Sequence, residues 1–96
     1  MNFARLQHPN GKTDMWGATR GNWSFIILHD GAGYFATYRD RSKVISESSP
    51  QAVFFVDDRE LPKGTLIAPD EFCYPDLRSA MRASEAKYWV LKNRMN

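Results

Sequence analysis

The stretch WSFIILHDGAGYFATYR, Trp23–Arg39, reads as two β-strands around a glycine-containing turn, and it decides the fold. With Asp30–Gly33 as a four-residue loop, His29 opposes Tyr34, Leu28 opposes Phe35, Ile27 opposes Ala36 and Phe25 opposes Tyr38. Alternation then sorts the side chains. One face carries Trp23, Phe25, Ile27, His29, Tyr34, Ala36 and Tyr38, and the other carries Ser24, Ile26, Leu28, Phe35, Thr37 and Arg39. Both faces are apolar in the middle, so the hairpin is a central pair, covered on both sides or meeting a partner on one. The compact Ile26, Leu28 and Phe35 face is the expected bed for a helix. The first face, with large rings and polar tips, suits a concave binding surface or an interface. The structural alternative is strong curvature, which folds the N-terminal hairpin over the rings and makes a small barrel.

Working outward, Gly21-Asn22 joins Met15–Arg20 to this hairpin. Asn10-Gly11 suits a type I′ turn between arms at Phe3–His8 and Thr13–Thr19, because both residues tolerate positive φ. Lys43–Glu47, Ala52–Val56 and Gly64–Ala68 are shorter strand candidates. The last quarter changes period. Asp76, just after Pro75, caps a helix from Leu77 to about Asn93 that contains neither proline nor glycine. Leu77, Ala80, Met81, Ser84, Tyr88, Leu91 and Met95 fall on one stripe, with Arg78, Arg82, Glu85, Lys92 and Asn93 opposite. The stripe needs the sheet as its partner. The expected fold is α+β, a single domain over 1–96. Residues 3–68 form an antiparallel, meander-like, strongly twisted sheet of about five strands, open or partly closed into a barrel, and one C-terminal helix over 76–94 packs on it.

Ninety-six residues bury about two-thirds of their open-chain surface on folding, enough for one core without disulfides or metal. A hydrophobic share of 43% and a charged share of 25% exclude disordered, collagenous and coiled-coil classes. The aromatic share of 14% is high for a core of this size and places some rings at the surface. A net charge of +2 is below the field of a dedicated nucleic-acid binder. The single Cys73 excludes an intramolecular disulfide and a cysteine-cluster zinc site. The longest apolar runs, Phe25–Leu28 and Ala52–Val56, are too short to span a membrane, and no basic-then-apolar leader opens the sequence. These features point to a soluble chain in a reducing cytoplasm, without a membrane partner.

Trp89 breaks the helical pattern by projecting into the charged arc between Glu85 and Arg82. Either a loop or neighbouring aliphatic stems cover its ring, or Trp89 and Arg82 face a protein partner, since Trp and Arg are enriched at interface centres. His29 lies beside Asp30 and across from Tyr34, the ingredients of a general base, but adjacent strand residues point to opposite faces. Cys73 sits between Phe72 and Tyr74 ahead of the helix, as a core filler or a thiol activated by a helix N-terminus. The histidines, His8 and His29, and the acidic pairs lack metal-ligand spacing, and Gly31-Ala32-Gly33 lacks a phosphate-binding glycine pattern. Arg20, Arg39, Arg41 and Lys43 cluster near one end of the sheet beside aromatic residues, which suits single-stranded nucleic acid. The sequence thus favours a non-enzymatic binding module without a cofactor, forming a homodimer or engaging one protein partner or small ligand. Trp23, His29, Tyr34, Tyr38, Trp89 and Arg82 are its candidate surface. Nucleic-acid binding through the four cations, and an enzyme using His29 or Cys73, are the alternatives.

Overall fold

Two turns of fixed length set the register of the sheet. Strands β2 (Asp14–Arg20) and β3 (Trp23–His29) are joined by Gly21-Asn22, with a φ of 60° at Gly21 alone, the pattern of a II′ turn. Strands β3 and β4 (Tyr34–Asp40) flank Asp30–Gly33, and the pairs His29 with Tyr34 and Phe25 with Tyr38 form as the sequence implies. The structure is a computed structural model describing residues 1–43, 52–57, 59–62 and 71–94. The strand expected over 43–47, beyond its first residue, the one over 64–68, and Met95 lie outside the described residues.

The other strands extend this pair on both sides. Strand β1 (Ala4–Gln7) pairs with β2 across the loop 8–13. That loop is not a type I′ turn. Only Gly11 has a positive φ there, and Asn10 Oδ1 instead accepts the amides of Lys12 at 2.8 Å and Thr13 at 3.0 Å, an Asx turn. Strand β5 (Val53–Val56) pairs with β4, and β6 (Arg59–Pro62) with β5. The sequence did not announce β6; Pro62 is tolerated because it ends an edge strand. The six described strands form an antiparallel meander in sequential order, open at both edges, so the barrel alternative does not hold.

Helix α1 (Leu77–Arg94) starts where Asp76 Oδ1 accepts the Ser79 amide at 2.7 Å, a bond that holds the Asp76 carboxyl below its ordinary range. Ala80, Ser84, Tyr88 and Leu91 are buried, and Leu77 and Met81 half-buried, while Arg82 and Lys92 are exposed. The fold is therefore α+β, as expected. The face that the helix chooses is not. It covers the aromatic side, over Phe25, Ile27, Tyr38 and Phe55, instead of the Ile26, Leu28 and Phe35 side. Complementary size explains the choice: fully buried Ala80 and Ser84 put the helix backbone close to the sheet and leave room for the large rings. Ser84 Oγ donates to its own helix, at Ala80 O, at 2.9 Å and brings no unsatisfied polar group into the layer.

The segment before α1 is pinned to the sheet. Tyr74 exchanges backbone hydrogen bonds with Tyr34 at 2.9 and 2.7 Å, extending the ladder beside β4. Its hydroxyl accepts the Asp57 amide at 2.9 Å.

Candidate functional site

Trp23 and Tyr38, expected at a binding surface, are each 8% exposed and belong to the core beneath α1. They meet edge to face, with centroids 6.1 Å apart. Beside them lies a polar cluster that sequence reasoning missed. Lys87, although on a helix flank, is only 4% exposed; its Nζ pairs with Glu60 of β6 and lies 5.7 Å from the Tyr38 ring and 5.4 Å from the Phe55 ring. Arg94 approaches the same Glu60 oxygen at 3.4 Å. Burial pushes Glu60 up, but hydrogen bonds from Lys87 and Tyr38 and the charges of Lys87 and Arg94 outweigh it, so the carboxyl sits below its usual range. The Tyr38 phenol is pushed up to about 12, first by burial and then by its bond to the Glu60 carboxylate.

His29 and Tyr34 do come together, at the open end of the helix-side face. Their rings stack with centroids 4.2 Å apart. The carboxylate beside His29 is not Asp30 but Asp14, placed directly opposite by the β2–β3 register, with its Oδ2 3.5 Å from His29 Nδ1. The same Asp14 pairs with Arg5, whose guanidinium lies over Trp16 at 5.2 Å. A carboxylate on Nδ1 orients an imidazole for acid–base work. The Tyr34–Tyr74 pairing puts the neighbouring Cys73 toward the opposite side of the ladder, where its Sγ lies 3.8 Å from Ala32 O. No group of three His, Cys, Asp or Glu side chains suited to a metal ion occurs among the described residues.

Trp89 is 45% exposed, beside Val90 at 39%. Arg20 and Lys92 lie 5.2 and 5.1 Å from its ring, and Tyr88 meets it edge-on. Arg20 also bonds Glu85 at 2.8 Å and covers Tyr88 at 4.6 Å. Arg82 is exposed on the outer side of the same helix. The expected cationic cluster is thereby split: Arg20 belongs to the helix side, whereas strand alternation puts Arg39 on the other face, near exposed Arg41. The side chain of Lys43 lies outside the described residues. Helix α1 holds five basic residues and one acid, against eight basic and ten acidic in the rest of the chain, so all of the net positive charge resides on it.

The face turned away from α1 is organised in rows. Leu6, Met15, Leu28 and Phe35 align across β1–β4, and Ala4, Gly17, Ile26, Thr37, Phe54 and Leu61 align across all six strands. Neither row carries a charge. Leu6, 39% exposed, lies over Gly17, where an added Cβ would stand 2.5 Å from Leu6 Cδ1. Met15, Ile26 and Leu28 are half-buried, whereas Phe35 and Thr37 are buried and Phe54 and Leu61 pack against the core, so the accessible part of the rows lies on β1–β3. The next row, Thr19, Ser24 and Arg39, turns polar. Among the described residues no helix or strand packs over these rows. No family model, curated protein or solved structure matches the chain.

Proposed function

We propose that the chain is a self-associating interaction module, in which a second copy docks on the sheet face turned away from α1. The observation that carries the reading is the pair of uncharged apolar rows running through Leu6, Met15, Ile26 and Leu28. Strands lie about 4.8 Å apart and alternate residues about 6.8 Å apart, so the two rows across β1–β3, short of buried Phe35 and Thr37, cover about 200 Å². A standard interface takes about 800 Å² per partner, which puts this dimer in the weak class, with Kd of about 1 μM or above. Two such faces meet by a twofold axis as two packed sheets. Charge argues against the helix as the self-contact, because its outer side would set cation against cation.

Sedimentation across a wide concentration range tests the reading. The wild type shifts from monomer to dimer, and Leu28→Arg abolishes the shift while circular dichroism and melting stay close to wild type. A chain that remains monomeric at the highest concentration, or a dimer indifferent to Leu28→Arg, overturns it.

A second reading applies to the outer side of α1, where exposed Trp89 and Val90 stand among Arg82 and Lys92. An apolar centre ringed by cations suits an acidic protein partner. Trp89 emission should then respond to a glutamate-rich peptide, and the response should vanish in Arg82→Glu/Lys92→Glu.

A further inference from the structure

The β2–β3 turn and the end of β4 enclose a cleft of about 380 Å³, lined by Gly21, Asn22, Arg39, Arg41 and Ser42. We propose that this cleft is an oxyanion site that takes the terminal phosphate of a phosphomonoester. It stands independently of the self-association reading.

The arginines are the first argument. Arg5 pairs with Asp14, Arg20 with Glu85 and Arg94 with Glu60. Arg59 donates to Glu71 O and lies over Phe72, while Arg78 and Arg82 stand exposed on α1. Of the four arginines with no ion pair or ring contact among the described residues, Arg39 and Arg41 are the two that are exposed into one cleft.

The residue between them explains why they stay available. Asp40 is turned inward, 9% exposed, and its Oδ1 accepts the Ser42 amide at 2.9 Å and the Ser42 hydroxyl at 2.6 Å. The one acid of this segment is therefore engaged by Ser42 at the edge of the cleft, forms no ion pair with either arginine among the described residues, and fixes the turn that presents Arg41. The Arg41 amide donates to Asn22 O at 2.7 Å, tying the two walls together. Gly21, with a φ of 60°, brings the turn backbone to the rim without a side chain in the way.

The donor set selects the ligand. Each guanidinium is a planar fork that satisfies two oxygens, so one arginine suffices for a carboxylate. Two forks with the Asn22 amide beside them match three terminal oxygens and a charge near −2, which a phosphomonoester has at neutral pH and a phosphodiester lacks.

Amide and arginine side-chain NMR of the full chain tests this, with phenyl phosphate added at constant ionic strength and pH 7.5. Saturable shifts centred on Asn22, Arg39, Arg41 and Ser42 are expected. Arg39→Gln and Arg41→Gln should each weaken binding at least tenfold, and the pair should abolish it. Lys12→Gln, an exposed cation elsewhere, should change affinity less than twofold. A dinucleotide with only an internal phosphodiester should bind at least tenfold more weakly. Equal shifts with chloride, binding that survives in the double variant, equal loss in Lys12→Gln, or a diester that binds as tightly as the monoester each overturn the proposal. Unchanged spectra away from the cleft show that the variants remain folded.

Discussion

Replacing Glu60 by Gln should cost far more stability than replacing its partner Lys87 by Met. The two ends of this ion pair differ in their access to water. The Lys87 side chain is 3% exposed and that of Glu60 27% exposed. Glu60→Gln leaves an ammonium under the Tyr38 and Phe55 rings with no counter-charge. Breaking a buried pair from one side costs about 3–5 kcal/mol; the partial exposure of Glu60 sets the expectation at the low end, about 3 kcal/mol. Lys87→Met removes the buried charge and keeps the apolar volume, while Glu60 retains Arg94, Tyr38 and water, so about 1 kcal/mol or less is expected. The double variant should lie within about 1 kcal/mol of Lys87→Met, because no charge is then stranded. Urea unfolding at pH 7 reads all four corners of the cycle, and a loss of 3 kcal/mol lowers Tm by more than about 10 °C in a chain of this size. The pH dependence has a fixed sign. The folded Glu60 carboxyl lies below its ordinary 4.5, so its contribution is present above that value and is lost as pH falls through the folded one. The gap between wild type and Glu60→Gln should narrow in that window. A cost for Glu60→Gln no larger than that for Lys87→Met would refute the reasoning.

The remaining predictions concern packing and titration. Leu91→Ala, at a 3% exposed position, should cost about 2–5 kcal/mol in urea unfolding, whereas Trp89→Ala, which loses an exposed ring and its cation contacts, should cost about 1 kcal/mol or less. Gly33→Ala puts a Cβ 2.7 Å from Cys73 Sγ and 3.0 Å from Tyr74 O, so it should destabilise by about 1–3 kcal/mol. Gly17→Ala meets only the movable ends of Leu6 and Ile26 and should be nearly neutral; equal melting of the two would refute the contrast. Tyr38 should ionise near 12 in an ultraviolet titration of the folded chain. Its raised pKa means that the stability held by the protonated phenol is complete below pH 10 and is lost between about 10 and 12.

The register of the central hairpin was legible because the length of a turn between two alternating runs leaves little freedom. The helix and its cap were legible for a similar local reason: Asp76, the absence of Pro and Gly, and one apolar stripe agree. The acceptor for His29 was within reach too. Taking Gly21-Asn22 as a two-residue turn and counting outward from Arg20 and Trp23 arrives at Asp14 opposite His29, a pairing hidden by attention to the sequence neighbour Asp30. Lys87 and Glu60 were not legible. A lysine on the flank of a helical stripe reads as solvated, and its partner sits on a strand ended by proline, where propensity gives little signal. The choice of sheet face was also hidden. Alternation marks two faces but does not rank them when both are apolar, and the deciding fact was the pairing of small helix residues with large sheet rings.

That ambiguity itself bears on function. A sheet covered by one helix needs apolar residues on one side only, and an antiparallel sheet of this kind ordinarily alternates apolar inward with polar outward. The row Thr19, Ser24 and Arg39 follows that rule on the side away from α1. The two rows beside it depart from it, with Leu6, Met15, Leu28 and Phe35 in one and Ile26, Phe54 and Leu61 in the other. Phe54 and Leu61 also pack against the core, but at Leu6, Met15, Ile26 and Leu28, which do not, threonine, lysine or glutamate would serve the layer beneath α1 equally well. An apolar surplus that the helix does not use supports a contact on the outer face. The cations gathered on α1 complement that reading, because like charges keep two copies from meeting helix to helix and leave the neutral rows as the surface on which they can pair.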